Sequence, residues 1–282
     1  MIKSKIIADS INAEGDRLTT YELVYPRYIH SELMTHRVFS RNSASSRAIP
    51  IEKVIELVRE DTVMPIWTAN QAGMQGKFIT NGTLLNELNS IWVDSARSAC
   101  IYAEELAALG AHKQHVNRAL EPYQHIKVIV TATNFHNWDV LRFHEDAQPE
   151  IEQLACHMLA TRAMSTPKNI TSGDWHLPYV NNDCWEKCLE EASRLSGISN
   201  EKVLAIDIAK QVSASCCAQV SYRKLDDSIE KALLIYKALV GGVPLHASPF
   251  EHQATPCIKG MEEGNFTGWK QYRREIENGY KK

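Results

Sequence analysis

The sequence has no apolar run near the roughly 18 residues that a membrane-spanning helix needs, and its first residues, Met-Ile-Lys-Ser-Lys-Ile-Ile-Ala-Asp, have no apolar core of a secretory leader. It has no disulfide framework either. The seven cysteines, at 100, 156, 184, 188, 216, 217 and 257, are odd in number and lack the spacing of a secreted scaffold, so reduced thiols in the cytoplasm are expected. Charge of one sign is missing as well: a formal net charge of −3 gives no global attraction to nucleic acid or an anionic membrane. Internal repeats, low-complexity tracts and an obvious linker are also absent. What remains is an ordinary soluble composition over 282 residues, long enough for a full core, and one compact domain spanning 1–282 is the expected organisation.

Periodicity predicts long helices and few strands. Residues 19–29 are β-branched and aromatic, a strand running into a helix at about 28–37. The serine-rich run 40–47 is a poor helix interior and predicts a loop with exposed hydroxyls and amides, closed by Pro50. The apolar spacing from Leu84 to Ile101 predicts a long helix over 84–109 that stops at Gly110. Residues 123–133 predict a strand, and 147–164 an amphipathic helix carrying Ile151, Leu154, Ala155, Met158 and Leu159 on one face. Further helices are expected at 184–195, 200–218 and 226–240, and Tyr272, Arg273 and Arg274, with Trp269, fit a packed amphipathic helix. Without regular strand–helix–strand alternation the fold class is α+β.

Segment 35–47 packs three arginines and four serines around His36-Arg37. Arg37, Arg41 and Arg47 offer planar forks suited to phosphate, Ser40, Ser43, Ser45 and Ser46 add hydroxyls, and Asn42 adds an amide able to read a ring edge. A solvated polar loop is an equally good reading on composition alone. The glycines of a phosphate-wrapping loop are missing here. Cys184 and Cys188 share a helical face and Cys216-Cys217 are adjacent, yet no second ligand pair has standard spacing, so no metal is expected. His112 and His115 read as a helix-end pair, and Cys257 after Pro256 as an inert thiol rather than a nucleophile.

Taken together, several segments resemble the flavin-dependent thymidylate synthases. Thr35-His36-Arg37, seven residues, then Ser45 and Arg47 is similar to that family's Arg-His-Arg signature. Arg118 with Pro122, and Asn137, Arg142, Ala147, Gln148, Glu150 and Ile151, resemble two further stretches with matching spacing. Val220-Ser221-Tyr222, a helix, then His246-Ala247-Ser248-Pro249-Phe250-Glu251-His252 resembles the family's N-terminal portion. Here that portion comes last. A circular permutation follows, with the family's first third at about 211–282 and strand 19–29 as its normal sequel; joining termini costs only modest loop entropy.

The resemblance implies long helices packed on a mainly antiparallel sheet, bound FAD, and a homotetramer with sites at subunit interfaces. The activity implied is an FAD-dependent thymidylate synthase. It would transfer a one-carbon unit from methylenetetrahydrofolate to C5 of dUMP, giving dTMP, with NADPH as reductant. Arg47, Arg118 and Arg142 would clamp the nucleotide, with Glu32 and Ser43 at substrate-facing positions. Ser45 would sit beside the uracil, and it and Arg142 would be the catalytic residues. His36, Arg37, Asn137, Ser221, His246, Ser248 and Glu251 would surround the flavin.

Three positions depart from the pattern: Thr35 stands for an arginine, Glu32 for a glutamine and Ser43 for a glutamate. A related pyrimidine C5-modifying enzyme, such as a dUMP hydroxymethylase or one acting on cytosine, is therefore an alternative, as is a non-catalytic nucleotide-binding relative.

Overall fold

The computed structural model describes residues 1–74, 76–196, 201–221, 225–226 and 228–280. The organising element is strand β4 (His125–Ala132). Its run His-Ile-Lys-Val-Ile-Val-Thr-Ala alternates around a pleat, and both faces are covered. It pairs antiparallel with β2 (Arg17–Pro26) along its whole length and with the short edge strand β3 (Ser40–Ser43). Strand β1 (Lys3–Ile11) pairs antiparallel with β2, and β5 (Lys168–Asn169) adds a short parallel pair, giving the order β3-β4-β2-β1-β5.

One face of this sheet presents Tyr21, Leu23, Tyr25, Ile126, Val128 and Val130 to helix α6 (Pro149–Ala163), which inserts Ile151, Leu154 and Met158. Phe135 and Trp138, the latter on α5 (His136–Arg142), and Phe39 complete that core. Across the sheet, Ile129 meets Cys217 and Val220 at the end of α8 (Glu201–Ala218). Helices α7 (Asn182–Ser196) and α9 (Ile229–Val240) pack on α8. A satellite core joins α2 (Ile51–Glu60), the 27-residue α3 (Gly82–Ala108) and the segment around α4 (Lys113–Val116), with Trp92 against Tyr123. A two-stranded unit, β6 (Ala254–Pro256) with β7 (Trp269–Gln271), leads into α10 (Tyr272–Tyr280). This is the expected α+β class with a mainly antiparallel sheet.

Several boundaries differ from expectation. The serine-rich run is a loop only in its second half, because β4 offers free backbone partners that draw Ser40–Ser43 into a strand. The helix expected at 28–37 is a 3-10 turn, Arg27–Ile29, followed by the short α1 (His30–Met34). Trp269 belongs to β7, and the helix starts at Tyr272. Cys184 and Cys188 are packed core residues, and no cluster of three metal-ligating side chains occurs among the described residues. No described helix is long and apolar enough to cross a membrane.

A hydrogen-bonded chain of side chains crosses the sheet interior. Ser10 Oγ meets His176 Nδ1 (2.9 Å), His176 Nε2 meets Thr20 Oγ1 (2.7 Å), Thr20 meets Thr131 Oγ1 (2.8 Å), and Thr131 meets His252 Nδ1 (2.8 Å). All five residues are buried. Burial pushes the pKa of both His176 and His252 down to about 3, so both rings are neutral at neutral pH.

Two expectations follow. Thr131→Val should cost about 1–3 kcal/mol in urea unfolding, because it strips partners from Thr20 and His252 at constant shape. For the histidines, the folded pKa lies below the ordinary value of 6.5, so the unfolded chain binds protons first as pH falls. Stability should be flat above pH 6.5 and decline below it, by up to about 1.4 kcal/mol per pH unit for each histidine. Equal urea midpoints at neutral pH and near pH 5 would contradict this.

Candidate active site

The β3 edge of the sheet carries the site. After β3 the chain turns back, with Ala44 N–H donating to Lys127 O (2.9 Å) and Arg47 N–H to Ser45 Oγ (3.3 Å). The fully buried Asn117 fixes this turn: its Nδ2 donates to Ser46 O (2.7 Å) and Ile49 O (2.9 Å). The turn and the helical segment 113–123 then enclose an open cavity of about 490 Å³ lined by Arg27, Ser43, Ser45, Arg47, Gln114, His115 and Arg118.

Charge in this cavity is unbalanced. Glu121 pairs with Arg27 (3.0 Å) and Arg118 (3.5 Å), while no described residue pairs with the exposed guanidinium of Arg47. Three guanidiniums against one carboxylate, with hydroxyls between them, make an anion site with the fork geometry that phosphate prefers. Ser43, Ser45, Arg47 and Arg118 thus come together from segments seventy residues apart. Arg27 and Asn117 were not legible as site residues: one opens the 3-10 turn that follows β2, the other acts only through buried hydrogen bonds.

A second cluster lies at the other end of β3. His36 is buried, stacked on Phe39 (5.7 Å between centroids) and edge-on to Trp138 (4.9 Å). Burial first, then the nearby Arg142 and Arg41, lower its pKa to about 4. The neutral ring accepts a hydrogen bond at Nε2 from Arg142 Nε (3.0 Å), which assigns its proton to Nδ1. Arg142 Nη2 also donates to Thr35 Oγ1 (3.3 Å) and Glu32 O (3.5 Å), and Thr35 in turn donates to Glu32 O (2.6 Å). Nη1 of Arg142 has no partner among the described residues and remains available to a ligand.

The third element is the C-terminal turn. Ser248–Glu251 forms a 3-10 turn whose Phe250 is buried against Tyr236 and Tyr272. Gln271 Nε2 donates both to Glu251 O (2.9 Å) and to Ser40 Oγ (2.9 Å), which seats the turn on β3. Glu251 pairs with Arg273 and its charge also reaches Arg41.

Other predicted residues serve the scaffold. Asn42 Nδ2 donates to Cys217 O (2.7 Å), and Arg41 Nη1 braces Met34 O (2.8 Å) and His36 O (3.1 Å). Arg37, Asn137 and His246 are exposed, and none of their side chains has a partner among the described residues. None of them, nor His36, Arg142, Ser248 or Glu251, lines the Arg47 cavity. The carboxylate of Glu32 takes the hydroxyl of Ser31 (2.8 Å) and stays outside it too. Ser221 closes the 3-10 turn Gln219–Ser221, but its side chain, like Tyr222, lies outside the described residues. Cys257 sits near Glu262 and Glu263, and burial followed by those carboxylates raises its thiol pKa, the reverse of what a nucleophile needs.

Among solved structures, the chain is similar to a UMP/dUMP methylase, PolB from Streptomyces cacaoi bound with 5-Br UMP, at 15% identity over 58% of this chain and 89% of that chain (TM-score 0.46). It is also similar to thymidylate synthase X (ThyX) from Helicobacter pylori with FAD and dUMP, at 18% identity over 51% of this chain and 67% of that chain (TM-score 0.36). No curated protein matches the chain. The family model for thymidylate synthase complementing proteins matches residues 18–168, which hold β2 from its second residue, β3, β4, α5, α6 and the whole Arg47 cavity; the chain belongs to that family.

Proposed function

We propose that the protein is an FAD-dependent thymidylate synthase, transferring a one-carbon unit from methylenetetrahydrofolate to C5 of dUMP with NADPH as reductant. The convergence of Ser45, Arg47 and Arg118 with Arg27 in one cationic cavity carries this reading. Arg27, Arg47 and Arg118 would hold the 5′-phosphate, with Ser43 and Ser45 beside the nucleoside. The free Nη1 of Arg142 would donate to a uracil carbonyl, stabilising negative charge as C5 becomes nucleophilic. Neutral His36 holds that guanidinium in place and, with its low pKa, is not an acid in the reaction.

The flavin side fits the residues present. Arg37, Asn137 and His246 offer exposed polar groups, and Met34, Val38 and Phe143 offer exposed apolar surface in the same part of the chain around the Thr35–Arg142 hydrogen bond. Ser248 and Glu251 on the neighbouring turn, with Ser221, would complete the set. Bound FAD would supply the reducing equivalents for the transferred carbon; the protein's part is to hold nucleotide and cofactor within reacting distance.

None of these flavin-side groups lines the Arg47 cavity, and the reading includes a homotetramer in which another copy completes each site. Support comes from α3, where exposed Leu84, Ile91, Tyr102 and Leu106 recur at spacings that keep one helical face. Gln271 joining Ser40 to Glu251 O supports one domain over 1–282 in permuted order, and seven cysteines in the thiol form, none in a disulfide, suit a reducing cytoplasmic setting.

A second reading keeps the same site with a different C5 product. Thr35 removes a cation and Ser43 an anion relative to the family pattern, and Thr35 is spent on holding Arg142.

Purified protein should carry, or take up, FAD with its visible absorption, and turn over dUMP with methylenetetrahydrofolate and NADPH. Mass spectrometry of the product separates methyl from hydroxymethyl. Protein that stays colourless with added FAD would exclude both readings. Arg47→Ala and Arg118→Ala should each weaken dUMP binding about tenfold or more, and Arg142→Ala should abolish it, with flavin retained in all three. Unchanged dUMP affinity would refute the phosphate assignment.

A further inference from the structure

A second cavity, of about 240 Å³, lies at the opposite edge of the sheet, between β1, β5, the segment 174–182, and helices α7 and α8. β3 and β1 are separated by two intervening strands, so this space is about 14 Å or more from the Arg47 cavity at a strand spacing of ~4.8 Å. None of its lining residues belongs to the nucleotide or flavin set.

Its walls combine three chemistries. Trp175 and Trp185 supply indoles, and Trp175 is anchored by the Lys210 ammonium 4.5 Å from its ring centroid and by the edge of Tyr272. Lys168 and Lys202 are exposed lining residues whose ammonium groups have no partner among the described residues. Ser10 is a buried polar group on the wall, 5% exposed; its hydroxyl meets His176 at 2.9 Å and keeps a further hydrogen-bonding position. Of the two lining carboxylates, Asp9 is already bound by Arg17, Thr19 and Ser165, while Asp174 accepts from the Thr171 N–H and hydroxyl and has no cationic partner among the described residues, so it offsets the two lysines only in part.

We propose that this cavity binds a planar heteroaromatic ring carrying an anionic group. The indoles would contact the ring, the lysines would meet the phosphate or carboxylate, and Ser10 would hydrogen-bond the ring edge. The volume, below the ~300–1,000 Å³ of drug-sized sites, suits one ring system with its substituent rather than a dinucleotide. A mononucleotide and a pterin-type carboxylate share this chemistry.

The test is isothermal titration calorimetry on the full chain carrying Arg47→Ala and Arg118→Ala, so that the nucleotide cavity is disabled. The probes are AMP, dUMP and pterin-6-carboxylate, with adenosine as the ring lacking its anion. Saturable binding of AMP or dUMP identifies the nucleotide source, and of pterin-6-carboxylate the carboxylate source. Adding Lys168→Ala and Lys202→Ala, both exposed and unpaired, should weaken that binding about tenfold, as should Ser10→Ala. AMP should bind more tightly than adenosine if the nucleotide is the ligand.

No heat with any anionic probe, or affinity unchanged by the lysine substitutions, would overturn the proposal. So would binding seen in the wild type but lost with Arg47→Ala and Arg118→Ala alone. Failure of dUMP turnover leaves this outcome untouched, since the readout is binding at a separate site.

Discussion

The constraint on which the site depends is the seating of the C-terminal turn against the β3–β4 edge of the sheet. Two sets of buried hydrogen bonds enforce it: Gln271 bridging Ser40 and Glu251 O, and His252 joined through Thr131 and Thr20 to His176. Except for the half-buried Glu251, each of these residues is buried, so a missing partner would leave a desolvated donor or acceptor at a cost of about 1–3 kcal/mol. The turn therefore has one satisfied position. It also covers an edge strand whose free backbone would otherwise invite pairing with another chain.

Given that seating, the work on the two ends of β3 divides. At one end, Asn117 holds the backbone so that three arginines face one cavity, and Glu121 offsets only part of their charge. At the other, aromatic packing keeps His36 neutral, and neutrality makes it an acceptor for Arg142 rather than a competitor in charge. A protonated His36 would repel that guanidinium and lose the Nε2 lone pair that orients it. Burial of one ring thus sets the position of a cation that would meet the substrate.

Much of this was legible in the chain, and the misses have identifiable causes. The strand at 123–133 and the helices at 147–164 and 200–218 follow from periodicity, because sheet and helix burial demand it. Ser43, Ser45, Arg47 and Arg118 were singled out only through the family resemblance, since composition alone fits a solvated loop equally well; the fold brings the four to one cavity. Strand β3 was not, because Ser-Arg-Asn-Ser has little strand preference and pairs only because β4 is adjacent. Arg27 and Asn117 escaped for a related reason: their roles depend on partners far away in sequence. Asn42 and Arg41 looked like ligand groups, yet the sheet uses both to satisfy backbone carbonyls.

The departures at Thr35 and Ser43 are best understood through the charge they remove. An arginine at 35 would place a second cation beside Arg142, and the two would have to diverge toward separate anions. Threonine instead offers an oxygen that accepts from Arg142 while donating to Glu32 O, which draws the guanidinium back onto His36. At 43, a carboxylate would face Arg27 and Arg47 across the cavity and compete with a bound phosphate, whereas serine leaves the field positive. Both changes move cationic character away from the His36 end and toward the Arg47 end. A site polarised in this way would hold the proposed nucleotide's phosphate at its Arg47 end and would rely more on neutral contacts for whatever lies against His36.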